Sequence, residues 1–175
     1  FPQLAARDMC DKHVVKMIVE SAQMLSTAHR VLDGKEYTEL SANNRRIKRW
    51  KSPHNLFEEM LYKASFVGHP CTQWVMENNK NYYWLVEHAY ELCKEYTRRY
   101  GKVHKSEDMI SLIRFRKPKN IPIADSITPF AQAMPEEYKN EDAVKAYRAY
   151  YLGEKTAFAV WNYSETPSWY EEMLV

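Results

Sequence analysis

Between Asp8 and Leu32 the chain runs without a proline or glycine, and Gly34 follows as the first residue that favours a stop. Val14, Val15, Ile18, Ala22, Leu25, Ala28 and Leu32 recur at spacings of three and four, the period of a helix with one apolar face. The spacing predicts one helix from Asp8, as N-cap, to a stop at Gly34, with its stripe turned toward the rest of the protein. A second face carries His13, Glu20 and Thr27 at intervals of seven, so each lies within about 20° of the last. Met17 and Met24 stand between them. A carboxylate among methionines and β-branched residues loses hydration, which raises its pKa and suits it to proton transfer near neutral pH. The plainer reading is an exposed Glu20 paired with Lys16 one turn earlier.

Only 4 glycines and 8 prolines interrupt 175 residues that are 45% apolar and 14% aromatic. That balance favours long helices over short strands joined by tight turns. Two further long helices are expected, Pro70–Tyr100 with a break near Asn78 and Asn79, and Glu141–Asn162. Asn55–Phe66, Ser106–Arg116 and the segment after Pro167 read as short helices, and strand signals are nearly absent. The expectation is a compact all-α domain spanning residues 1–175, with three long helices and several short ones. Cys10, Cys71 and Cys93 form no C-x-x-C pair, so neither a disulfide framework nor a zinc knot is expected, and a reducing intracellular compartment fits. No apolar run reaches membrane-spanning length and no signal peptide is visible. The six histidines are scattered without metal-ligand spacing, and no glycine-rich phosphate loop occurs, so no metal or other cofactor is expected.

A net charge of +2 does not by itself announce a nucleic-acid binder, so clustering must decide. Arg45, Arg46, Lys48, Arg49 and Lys51 fall within seven residues around Trp50, with no acid among them. Such a run suits phosphate oxygens and an unstacked base. It equally describes a solvated loop whose tryptophan folds back on the core.

Taken in order, the segments DKHVVKMIVE (11–20), GHPCTQW (68–74), LCKEYTRRYG (92–101), MPEEYK (134–139), GEK (153–155) and TPSWY (166–170) resemble the phage pyrimidine-dimer DNA glycosylases of the endonuclease V type. The resemblance covers most of the chain. It implies a compact helical domain acting on double-stranded DNA, with glycosidic cleavage by an N-terminal α-amine that attacks the sugar C1′, then strand breakage by β-elimination. It implies that Glu20 is the catalytic glutamate, that His13 lies beside the active site and that Lys155 lines the DNA-facing cleft. Trp169 and Tyr170 match the aromatic C-terminal segment, and the attacking amine falls slightly before Phe1. The chain departs from the pattern at Val19 and Gln23, where the family has arginines, and at Glu171 and Glu172, where it has a basic tail.

The expected assignment is therefore a viral or bacterial glycosylase and lyase. Glu20 acts as acid/base, an N-terminal amine or Lys155 as nucleophile, His13 and Gln23 as polar pocket groups, and Arg45–Lys51 as phosphate clamp. Two other readings share the scaffold: a non-catalytic nucleic-acid-binding module, and a helical assembly protein whose tyrosines form a subunit surface.

Overall fold

The computed structural model describes residues 1–173. The first helical stretch is two helices, α1 (Pro2–Asp8) and α2 (Asp11–Asp33), with Met9 and Cys10 extended between them. Cys10, rather than Asp8, precedes the second helix. Asp8 is held elsewhere, since its carbonyl accepts from the Trp161 indole at 3.1 Å and its carboxylate from the Trp169 indole at 2.8 Å. The apolar stripe behaves as its spacing predicts: Val14, Ile18, Ala22, Leu25 and Ala28 are fully buried, and α2 ends at Gly34, whose N–H closes on Arg30.

Beyond Gly34 the all-α expectation needs correction. Residues 35–51 form an antiparallel hairpin, β1 (Lys35–Leu40) and β2 (Arg46–Lys51), registered from Lys35 opposite Lys51 to Leu40 opposite Arg46. Most of its side chains are exposed, so it lacks the alternation of apolar and polar residues by which a half-buried strand is recognised. The fold is otherwise helical.

Helix α3 (Asn55–Met60) stops six residues short of the expected Phe66, and its Leu56 faces solvent. An irregular segment, 61–69, then leads to α4 (Pro70–Glu77) and α5 (Asn79–Tyr100). The expected break falls at Asn78, which is extended and uses its side-chain oxygen to accept from the N–H groups of Lys80 and Asn81. Gly101 ends α5 in the left-handed conformation, φ 65°, which glycine adopts without a Cβ penalty. Helices α2 and α5 run antiparallel. Tyr82 meets His29 at one end (2.8 Å) and Arg99 meets Asp11 at the other (3.0 Å). Helices α1, α4 and α6 (Glu107–Arg114) complete the main core around this pair.

The last long helix is also shorter than expected. Helix α7 covers Ala143–Lys155, and among its residues only Ala146 is fully buried, while Val144 and Val160 are exposed. The chain leaves the helix because residues 160–162 serve the start of α2: the Asp11 N–H donates to the Val160 carbonyl at 2.9 Å, and the Asn162 N–H donates to the Asp11 carboxylate at 2.7 Å. A second, smaller cluster of Cys10, Tyr151, Phe158, Ala159, Trp161, Trp169 and Tyr170 forms there, closed by α8 (Ser168–Glu172).

Two buried guanidinium groups hold these parts together. Arg30 donates to the carbonyls of Trp50, Glu58, Leu61 and Tyr62 and to the Glu58 carboxylate, joining α2 to β2, α3 and the segment after it. Arg99, in the last turn of α5, is buried against Asp11, Glu95 and the carbonyls of Arg7 and Met9. Removing either would strand buried acceptors and an acid, at a cost of roughly 3–5 kcal/mol. Among the described residues no helix is long and apolar enough to cross a membrane.

Candidate active site

Glu20 lies midway along α2 on the face opposite the buried stripe. Its carboxylate meets the Lys16 ammonium at 3.1 Å, with 41% of its side chain exposed. The helical period that buries Ile18 and Ala22 leaves Val15, Lys16 and Val19 open on this side. The desolvated pocket between Met17 and Met24 is therefore not what surrounds this carboxyl group; it is half open and ion-paired.

Its neighbours come from distant parts of the chain. The Cys71 thiol, in the first turn of α4, has its pKa raised chiefly by burial and further by the nearby Glu20 charge, against a lowering contribution from Tyr147 of α7. Burial raises the Tyr147 phenol as well, and Tyr147 donates to the Ala131 carbonyl at 2.7 Å. Sequence spacing carried no sign that Cys71 and Tyr147 would join Glu20; the occurrence of Cys71 inside the GHPCTQW segment was the one available hint.

Two turns before Glu20, His13 packs edge-on against Tyr151 at 5.1 Å and Phe158 at 5.3 Å. Burial first, then the charges of Lys16, Lys155 and Lys12, lower its pKa to about 4 against the opposing charge of Glu20. His13 is thus neutral near pH 7. Those same influences locate Lys155, at the end of α7, on this side of α2. Its ammonium sits 4.5 Å over the Tyr150 ring and donates to the Tyr150 hydroxyl at 3.1 Å. Lys12 lies 4.5 Å over Phe158. Along this face lie a carboxylate paired with Lys16 and, two turns earlier, a neutral imidazole under the influence of Lys12 and Lys155, with a thiol that feels the carboxylate's charge. Gln23 stands one turn beyond Glu20, partly exposed.

The basic run occupies β2 and the turn before it. Lys48 pairs with Glu36 (3.1 Å) and Arg49 with Glu39 (2.7 Å), while Arg45, Arg46 and Lys51 have no acidic partner among the described residues. Trp50 is half-buried against the end of α2, its carbonyl held by Arg30 at 2.9 Å. Arg30 is ten residues beyond Glu20, about 15 Å along the helix axis, so the free cations stand apart from the carboxylate.

Trp169 and Tyr170 have packing partners of their own. The Trp169 indole donates to Asp8, stacks edge-on with Tyr151 at 5.9 Å and lies 5.1 Å under the Arg148 guanidinium. Tyr170 is buried against Trp161, ring centres 4.7 Å apart. They brace the cluster that positions Tyr151 against His13.

Compared with known proteins, residues 1–109 match the family model described as pyrimidine dimer DNA glycosylase. The matched residues include α1 to α5, with His13, Glu20, the hairpin and Cys71, whereas Lys155, Trp169 and Tyr170 lie beyond them. No curated protein and no solved structure matches the chain. With well over half of its length matched, the chain belongs to the pyrimidine dimer DNA glycosylase family.

Proposed function

We propose that the chain excises a damaged pyrimidine from duplex DNA through an amine nucleophile and then breaks the strand by β-elimination, with Glu20 as acid/base. A DNA repair glycosylase role follows from the family. The observation that carries the finer reading is Glu20 itself: inside the matched segment, it is accessible and lies beside Lys16, His13 and Cys71.

The chemistry asks for an amine, a carboxylate and room for a sugar. A neutral amine adds its lone pair to C1′ as the glycosidic bond breaks, and the base leaves with the bonding pair and takes up a proton. Loss of one proton from the added amine, and uptake of one by O4′ as the C1′–O4′ bond opens, gives an iminium. Removal of a C2′ proton then expels the 3′ phosphate, and water releases the amine. Glu20 stabilises the cation and carries the protons. The α-amine is one candidate nucleophile and the Lys155 side chain, as its neutral amine, the alternative. A neutral His13 hydrogen-bonds without adding to the positive charge. The cations Arg45, Arg46 and Lys51 hold phosphates on the flank.

The test is strand incision on a duplex carrying one cyclobutane pyrimidine dimer. The full chain should incise it, and Glu20→Gln should slow the reaction by about 10²–10⁴-fold. Equal rates would remove Glu20 from the mechanism. Lys155→Met separates the two amines: incision that survives it assigns the attack to the α-amine.

A further inference from the structure

Leu56, which helical spacing would turn inward, is 47% exposed and lines a groove of about 410 Å³ at the C-terminal end of α2. One side of that groove is apolar and aromatic. Leu56 lies there with Phe57 and His54, whose imidazole meets the phenyl ring edge-on at 5.9 Å. The other side is cationic, formed by Arg116, Lys117 and Lys119 from the segment that follows α6. Arg114, two residues earlier, donates to both oxygens of Glu87 at 2.6 and 2.7 Å. The three groove cations have no acidic partner among the described residues.

Three like charges on neighbouring residues repel one another, and a loose segment would spread them apart. This segment is fixed. Asp33, the one acid lining the groove, accepts from the backbone N–H groups of Lys119 at 2.7 Å and Asn120 at 2.9 Å. The Asn120 side-chain amide donates to the Leu32 carbonyl at 3.1 Å, and Pro118, between the lysines, is buried. The backbone that carries the cations is therefore set before a ligand arrives, which lowers the ordering cost of binding. The basic character also continues beyond the groove. Lys51 sits beside α3, because the next N–H, that of Ser52, donates to the Glu58 carboxylate at 2.7 Å, and Lys35 stands opposite Lys51 in the hairpin.

We propose that this groove binds an unpaired nucleotide, with the base against His54, Leu56 and Phe57 and the phosphate on Arg116, Lys117 and Lys119. A bare inorganic anion would leave the apolar side wet, and an apolar ligand would leave the cations uncompensated. A nucleotide answers both, since every base has a face that stacks on an aromatic ring and its phosphate suits guanidinium and ammonium groups. Asp33 lies thirteen residues beyond Glu20, about 20 Å along α2. The site is therefore separate from the candidate active site and does not depend on the incision chemistry. The nucleotide is either free or part of a single strand, and a strand running on from the groove would meet Lys51 and Lys35.

The experiment uses the full chain and a labelled pentathymidylate in which one base is 5-iodouracil. Affinity is read by anisotropy, and the photo-cross-link is mapped by mass spectrometry. The cross-link should fall on the segment carrying His54 and Phe57. Leu56→Asp, at an exposed site where Tm should hold, should weaken binding by roughly ten-fold or more, and so should Arg116→Gln, Lys117→Gln and Lys119→Gln combined. Thymidine 5′-monophosphate that displaces the strand at comparable concentration identifies a free nucleotide as the ligand; displacement only in large excess identifies the strand. A cross-link elsewhere, wild-type affinity in both variants, or inorganic phosphate that competes as well as the monophosphate would overturn the proposal. Leu56→Asp should incise a dimer-bearing duplex at the wild-type rate. A wild type that binds the strand here yet incises nothing would contradict the glycosylase reading and leave the groove standing.

Discussion

A half-exposed glutamate with a lysine ammonium at 3.1 Å is, energetically, a surface ion pair worth about 0–1 kcal/mol. That small value makes Glu20 testable, because its stabilising and chemical roles separate. Glu20→Gln should shift stability by no more than about 1 kcal/mol, read as urea midpoint, while incision falls by orders of magnitude; a parallel loss of both would mean a structural role. The heptad spacing of His13, Glu20 and Thr27 was legible in the sequence, and their shared face is where Lys155, Cys71 and the Thr27–Ser65 pair converge. The degree of enclosure was not legible. Met17 and Met24 pack toward the main core and leave the carboxyl group to water and Lys16. Arg30 and Arg99 were equally opaque, since a guanidinium becomes internal only when several acceptors from distant segments meet it, and those meetings are tertiary.

At the scale of elements, helix ends were read better than the connections. Gly34, Asn78 and Gly101 terminate or begin helices as their local chemistry predicts, because a cap is a property of a few adjacent residues. The hairpin was missed because a two-stranded ribbon with both faces largely wet carries no period-two apolar signal; the polar turn around Asn44, at φ 56°, was its only local mark. The hairpin also makes a demand on Gly34. A Cβ there would collide with the Arg30 carbonyl and lie 2.9 Å from the Lys51 carbonyl and 3.2 Å from the Trp50 Cβ. Gly34→Ala should therefore cost about 1–3 kcal/mol by overpacking, seen as a lower urea midpoint; no change would mean that the junction is looser than described. The ion pairs divide the basic run into two classes. Replacing Arg45, Arg46 and Lys51 by alanine should lower the slope of log affinity against log salt by about 0.9 for each phosphate that is no longer neutralised. Lys48→Ala, which removes a cation already paired with Glu36, should change the slope less.

For the whole molecule, the buried histidines set how the fold responds to acid. His29 and His88 are both held near pKa 4, against 6.5 when exposed, first of all by burial. His13 is held there by burial together with the lysines around it. Unfolded imidazoles bind protons below 6.5 and folded ones only near 4, so unfolding takes up protons between those values. Stability should fall as pH drops from about 6.5 to about 4, by at most about 1.4 kcal/mol per pH unit for each fully buried ring. Tm followed over that window checks this, and a flat profile would contradict it. His88, stacked on Trp84 with no hydrogen-bond partner at either ring nitrogen among the described residues, is the ring whose replacement by phenylalanine should flatten the profile with the least damage.

The C-terminal third ties this fold to its chemistry. It lies beyond the family match, yet it packs against the start of α2 through Val160, Asn162 and Trp169 and brings Lys155 to the side of His13. The central claim is that an amine of this protein becomes covalently joined to the sugar under the influence of Glu20. Borohydride reduction during incubation with abasic duplex, followed by mass spectrometry of the peptides, measures that bond directly. The expected result is a reduced adduct on the α-amine or on Lys155, strongly diminished in Glu20→Gln. DNA that is bound and incised without any adduct would contradict it.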